Sequence, residues 1–141
     1  MVSGIFSYIS ASQLAAAARQ NEEIARVMAI CSDWLLAQAQ QLAACNAVHL
    51  ADLRFCRWLA QAAERTESGL VPAMQETIAE ALGIRRTTVT LIAQGLQMEG
   101  MISYRRGKIR IRNREKLRTA ACDCYAALGR ASWPALVGKT S

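Results

Sequence analysis

The sequence predicts a mainly α protein in which a long helix leads into a small helical domain that carries a β-hairpin. Three observations predict it. Alanine is abundant and aromatics make up only 6% of the 141 residues, a composition that favours helix. Asn21 to Asn46 contain neither Gly nor Pro and carry an apolar repeat that alternates in steps of four and three. Beyond Gly83, a helical pattern stops at Gly100 and gives way to two alternating segments around Arg105-Arg106-Gly107. At 52% apolar residues the chain is a folded one, long enough for one ordinary domain or for a small domain with an appendage.

Taken in order, MVSGIFSYI spaces apolar Ile5 and Ile9 between smaller or polar neighbours and reads as one short strand, with no sheet nearby to join. Ser10 or Ser12 caps a short helix through Arg19. The long helix follows, its stripe formed by Ile24, Met28, Cys31, Leu35, Gln38, Leu42 and Cys45. That is a heptad seam holding one polar residue, Gln38, of the kind that sets register between paired helices. Such a stripe packs either on its own domain or on a second copy; pairing is expected, because little else in the chain is available to cover it. A connecting helix from about His49 to Arg65 turns Leu50, Leu53, Phe55, Trp58 and Leu59 inward, and residues 66–69 link it to an extended piece, Leu70-Val71-Pro72.

Gln75 to Leu82 reads as a short helix with Ile78, Ala79 and Leu82 inward, ended by Gly83, which takes the left-handed conformation at low cost. A second helix starts near Arg85, buries Val89, Ile92, Ala93 and Leu96, and stops at Gly100. Two short helices around a glycine turn, with small Ala79 where they approach, make a helix-turn-helix. Met101–Tyr104 and Lys108–Arg112 then alternate on either side of a basic turn, forming a hairpin with Ile102, Tyr104, Ile109 and Ile111 on its faces. A final helix from Arg114 to Leu128 closes the domain and leaves 129–141 as a flexible tail. The fold class is therefore a long dimerisation helix followed by a winged helix-turn-helix domain with a small β-hairpin wing.

The net charge of +6 is unevenly spread. Arg85 to Arg118 holds ten Lys/Arg against Glu99 and Glu115, so this segment is +8 and the remainder slightly acidic. Basic charge concentrated in this way is either the footprint of a polyanionic partner or a solvated face. The rival classes find less support. An enzyme would have to use the one histidine, His49, which has no evident carboxylate or nucleophile beside it, so no catalytic residue is assigned. The five cysteines (Cys31, Cys45, Cys56, Cys122, Cys124) show no paired metal-ligand spacing, and Cys122 and Cys124, two apart on an expected helix, point to different faces. No metal or cofactor is expected. Cys31 and Cys45 on the seam offer one redox alternative, pairing across subunits on oxidation. No apolar run reaches membrane-spanning length and no signal peptide is evident, so a cytoplasmic protein with free thiols is expected. A winged helix that binds a protein partner instead of DNA is the remaining alternative.

The stretches LADLRFCRWLAQAAER and VPAMQETIAEALGIRRTTVTLIAQGLQMEGMISYRRGKIRIRNREKL resemble the C-terminal half of the Crp/Fnr family of bacterial transcription regulators. The resemblance covers about residues 21 to 128 and rests on Q-E-x-I-A-E-x-L-G, R-x-x-V-T and Y-R-R-G-x-I. It implies dimerisation and connecting helices over 21–65, a DNA-binding domain over 66–128, and a last strand and exit helix of an N-terminal domain over 1–20. The effector-binding β-roll of such regulators has no counterpart here, so the chain is expected to be a truncated product or fragment without effector control; a dimerising competitor of full-length relatives is an alternative. Implied partners are double-stranded DNA with a pseudo-palindromic operator, a second copy in a homodimer, and RNA polymerase. Where the family often has Ser, Arg and Glu, this chain has Arg85, Arg86 and Thr87, and a second base-reading arginine corresponds to Leu91, so a different operator is expected. Arg86 is the first candidate base reader, since its planar fork matches the two acceptors of guanine, followed by Arg85, Thr87 and Thr90. Gln75, Thr88 and the wing residues Arg105, Arg106 and Lys108 are expected on phosphate.

Overall fold

The computed structural model describes Ile5, residues 7–66 and residues 68–130. The described residues fall into two compact units, one reaching Gln40 and one running from Gln41 to Gly129. In the first, helix α1 (Ala11–Gln20) opens on a capping box: Ser10 Oγ accepts from the Gln13 amide and Gln13 Oε1 accepts from the Ser10 amide, both at 3.2 Å. Ser10, not Ser12, is therefore the cap. The strand expected over the first nine residues does not form at Ile5 or Ser7–Ile9, whose apolar side chains stay exposed; the rest of that stretch lies outside the described residues.

Helix α2 (Glu22–Val48) starts where Asn21 Oδ1 accepts from the amides of Glu23 (2.9 Å) and Ile24 (3.3 Å). Of the expected seam, Ile24, Met28, Cys31 and Gln38 are half-buried, while Leu35 and Leu42 remain 54% and 38% exposed. Cys45 departs from it. It is fully buried inside its own chain, 3.6 Å from Cys122 Sγ, so the open stripe ends at Leu42.

In the second unit, helix α3 (Ala51–Glu64) lays Phe55, Cys56, Leu59 and Ala60 into the core. Leu50, expected inward, is 71% exposed because it is the extended residue before the first turn. Strand β1 (Leu70–Pro72), helices α4 (Gln75–Leu82) and α5 (Arg86–Met98), and strands β2 (Ile102–Arg105) and β3 (Lys108–Ile111) follow. The sheet has the order β1-β3-β2 and is antiparallel throughout, with Val71 opposite Ile109 and Tyr104 opposite Ile109 on the other side. The wing is thus three-stranded. Pro72, lacking a backbone donor, is tolerated because β1 is an edge. Phe55, Leu59, Ile78, Leu82, Val89, Ile109 and Leu117 are sealed in one core that joins α3, the two central helices and the sheet. Arg54, buried, fixes the end of α4 by donating from Nη1 to the Leu82 carbonyl (3.0 Å) and to Asn46 Oδ1 (2.8 Å).

The single closing helix expected from Arg114 is two: α6 (Arg114–Thr119), capped by Asn113, and α7 (Cys124–Arg130). The turn between them brings Cys122 and Cys124 together: both are buried, in one cluster with Cys45 and Leu53, and not on opposite faces. Of the expected tail, residues 131–141 lie outside the described residues.

Candidate nucleic-acid interface

The interface is built from the turn upward. Gly83 ends α4 at φ 62°, ψ 40°, donating to the Ala79 and Glu80 carbonyls, and Ile84 N returns to Ala79 O at 3.0 Å. Two residues later α5 begins, with Arg85 as an extended N-cap that supplies no side-chain cap. Its first-turn amides therefore keep their donors for an outside acceptor. Val89, Ala93 and Leu96 hold α5 on the core, with Ile92 half-buried beside them. Arg85, Arg86 and Thr87 are exposed, and so is Leu91, one turn on from Thr87.

Arg86 has the most defined environment. Its Nη1 lies 2.8 Å from Glu76 Oε1, and its Nε donates to Gln75 Oε1 at 3.3 Å. Thr90 is half-buried and donates from Oγ1 to the Arg86 carbonyl at 3.2 Å, so its hydroxyl is spent within the helix and its methyl is what remains for a base. Thr88, in the first turn of α5, is half-buried.

The wing is tied to the helices by backbone contacts. Gln97 Oε1, on the last turn of α5, accepts from the Tyr104 amide at 2.9 Å. The Tyr104 hydroxyl donates to the Ala73 carbonyl (3.1 Å), and the Ala73 amide donates to the Gly107 carbonyl (2.9 Å). Burial, then the nearby Glu76 carboxylate, pushes the Tyr104 hydroxyl up from its ordinary pKa, so it remains a donor at neutral pH. Arg106 and Gly107 form the tip at φ 48° and 71°, the geometry of a two-residue hairpin turn. Arg105 stands opposite Lys108, and Arg105, Arg106 and Lys108 are all exposed. An open hollow of about 370 Å³ separates the tip from the helices, lined by Met74, Gln75, Glu76, Arg86, Tyr104 and Arg106.

Residues 53–120 match the family model of the Crp-like helix-turn-helix domain. This chain carries a Crp-like helix-turn-helix domain. Solved structures agree on its fold. FixK2 from Bradyrhizobium japonicum is 22% identical with a TM-score of 0.74, over 79% of this chain and 58% of that one. A putative transcriptional regulator of the Crp/Fnr family from Eubacterium rectale is 22% identical with a TM-score of 0.66, over 78% and 51%. A CRP-family regulator from Thermus thermophilus is 24% identical with a TM-score of 0.52, over 58% and 45%. The chain spans about half the length of these structures. No curated protein matches it significantly.

Within the Crp-like domain, three of the residues singled out in the sequence, Gln75, Arg86 and Arg106, share one hollow. Arg85, Thr87, Arg105 and Lys108 stand exposed outside it. Glu76, the counter-ion of Arg86, was legible only as the acid beside Gln75, since nothing in its spacing shows a partner ten residues on. No helix among the described residues is long and apolar enough to cross a membrane.

Proposed function

We propose that the chain is a sequence-specific, double-stranded DNA-binding transcription regulator of the Crp/Fnr type, with α5 as the helix that enters the major groove. The observation that carries this reading is the exposure of Arg85, Arg86 and Thr87 on the first, uncapped turn of α5, beside the exposed wing cations, in the most basic part of the chain. An α-helix fits the major groove, and an arginine fork there meets guanine through two bonds, worth about 1–3 kcal/mol of discrimination. Arg86 is the principal reader, Arg85 and Thr87 its neighbours. The methyl of Thr90 and the exposed side chain of Leu91 suit a thymine methyl. Gln75, Thr88 and the α5 amides take phosphate, and Arg105, Arg106 and Lys108 extend that grip to the flanking backbone.

Pairing belongs to the same proposal. Residues 21–65 pair and connect, residues 66–128 read, and the exposed Leu35 and Leu42 form the open part of the seam. A two-fold pair reads a pseudo-palindrome with half-sites about one helical turn apart. RNA polymerase is the partner such a bound regulator acts on, and the cytoplasm its compartment.

Selection of binding sites from randomised duplexes by the full chain tests the reading. It is expected to enrich a pseudo-palindromic motif with a guanine in each half-site. Recovery of sequences no different from the input library would overturn it and favour a winged helix that docks on protein.

A further inference from the structure

Away from the DNA-facing surface, four side chains converge at the end of α2. Cys45 and His49 lie four residues apart, one turn of helix and therefore on one face. Cys122 and Cys124 flank Asp123, Cys124 being the first residue of α7. Cys45 Sγ is 3.6 Å from Cys122 Sγ, and Cys124 Sγ is 3.5 Å from His49 Nδ1. All four donor atoms lie within 4.8 Å of one another. Cys45, Cys122 and Cys124 are 0%, 5% and 6% exposed, and all three are free thiols.

We propose that Cys45, His49, Cys122 and Cys124 bind one zinc ion in a closed, tetrahedral, structural site. Three thiolates and one imidazole are a ligand set of structural zinc. With Zn–S near 2.3 Å and Zn–N near 2.0–2.1 Å, tetrahedral ligands stand about 3.8 Å apart from sulfur to sulfur and about 3.5 Å from sulfur to nitrogen. The Cys45–Cys122 and Cys124–His49 pairs, at 3.6 Å and 3.5 Å, lie near these separations, and the quartet as a whole is narrow enough for a single ion.

A second observation points the same way. Gln41 sits one turn before Cys45 and donates from Nε2 to Cys124 Sγ at 3.0 Å. An amide N–H aimed at a buried sulfur is the outer-shell partner that a metal-bound thiolate takes. The packing also calls for something more than apolar contact. This second core consists of three cysteines with half-buried Leu53, and among the described residues no larger apolar side chain joins it. Cys56 differs: burial pushes its thiol up to about 11 and it lies in the main core, outside the quartet.

Zinc enters as Zn²⁺ and the three thiols release three protons to solvent, leaving a site of net charge −1 with His49 neutral. No electron changes hands. The ion then clasps the last turn of α2 to the turn between α6 and α7, which otherwise meet through these small side chains.

The test uses the untagged full chain, purified under reductant, and does not depend on DNA binding. Elemental analysis is expected to find one zinc per chain that survives gel filtration. Co²⁺ added to the stripped protein should give the visible d–d bands of tetrahedral thiolate coordination, displaced by Zn²⁺. Cys122→Ser and Cys124→Ser should lose the stoichiometric ion, Cys31→Ser and Cys56→Ser should keep it, and Gln41→Ala should weaken it by about 10–100-fold. Absence of tetrahedral Co²⁺ bands in the wild-type chain overturns the proposal even if the serine variants do not fold. So does iron with acid-labile sulfide in the isolated protein, or one-to-one zinc retained in both serine variants.

Discussion

Arg86 is held in the unbound protein by Glu76 and Gln75, and the competition for its guanidinium is decided by magnitude. The Arg86 and Glu76 side chains are 65% and 56% exposed. An ion pair that open to water contributes about 0–1 kcal/mol, whereas a guanine contact contributes about 1–3 kcal/mol. In the proposed complex the pair would therefore not oppose transfer of the arginine to a base. Arg106 presents a different trade. Its φ of 48° is a conformation that side chains other than Asn, Asp and Gly adopt at a cost. Asn-Gly is the favoured dipeptide of this turn, so Arg106→Asn is expected to raise the melting temperature by a few degrees. The same variant should lower the slope of log affinity against log salt by about one, since it removes one phosphate-neutralising charge. A melting temperature that falls, or a slope that does not change, would contradict the assignment.

The elements of the helix-turn-helix and its hairpin were the most legible part of the sequence, because each boundary has a local cause. Gly83 ends α4 through a left-handed residue, Gly100 stands in the same region at φ 72° after α5, and Arg106-Gly107 turns the hairpin. A Cβ built on Gly83 meets nothing within 4 Å, so Gly83→Ala costs only backbone strain. A loss of about 1–2 kcal/mol in denaturant unfolding is expected, with no change in the unfolding slope. What was illegible has non-local causes. β1 pairs with β3 nearly forty residues later, and a three-residue strand ending in proline carries no trace of that partner. The break between α6 and α7 falls at Ala120–Asp123, where the sequence has neither Gly nor Pro. The chain turns there with Cys122 N directed to the Leu53 carbonyl at 3.4 Å and its thiol to Cys45. The cysteine quartet escaped for the same reason: its two halves are short spacings, Cys45-x-x-x-His49 and Cys122-x-Cys124, that mean little until the fold joins them.

For the whole molecule, the open question of assembly turns on α2. Leu35, Leu36 and Leu42 are exposed on a helix that otherwise half-buries its stripe, while Cys45 is satisfied within its own chain. Burying a leucine is worth about 1.5–3 kcal/mol, enough for these positions to decide pairing. Leu35→Gln with Leu42→Gln is expected to shift the protein to monomer in sedimentation equilibrium and to weaken binding to a two-half-site duplex far more than to a single half-site. An unchanged dimer would place the interface elsewhere.

The central claim is that α5 reads sequence through Arg86. Its most direct test is fluorescence anisotropy at fixed salt, comparing wild type with Arg86→Ala on a selected operator duplex and on a scrambled duplex of equal length. The variant is expected to lose about 1–3 kcal/mol of preference per half-site while its affinity for the scrambled duplex falls little. An Arg86→Ala protein that keeps the full preference for the operator would contradict the account.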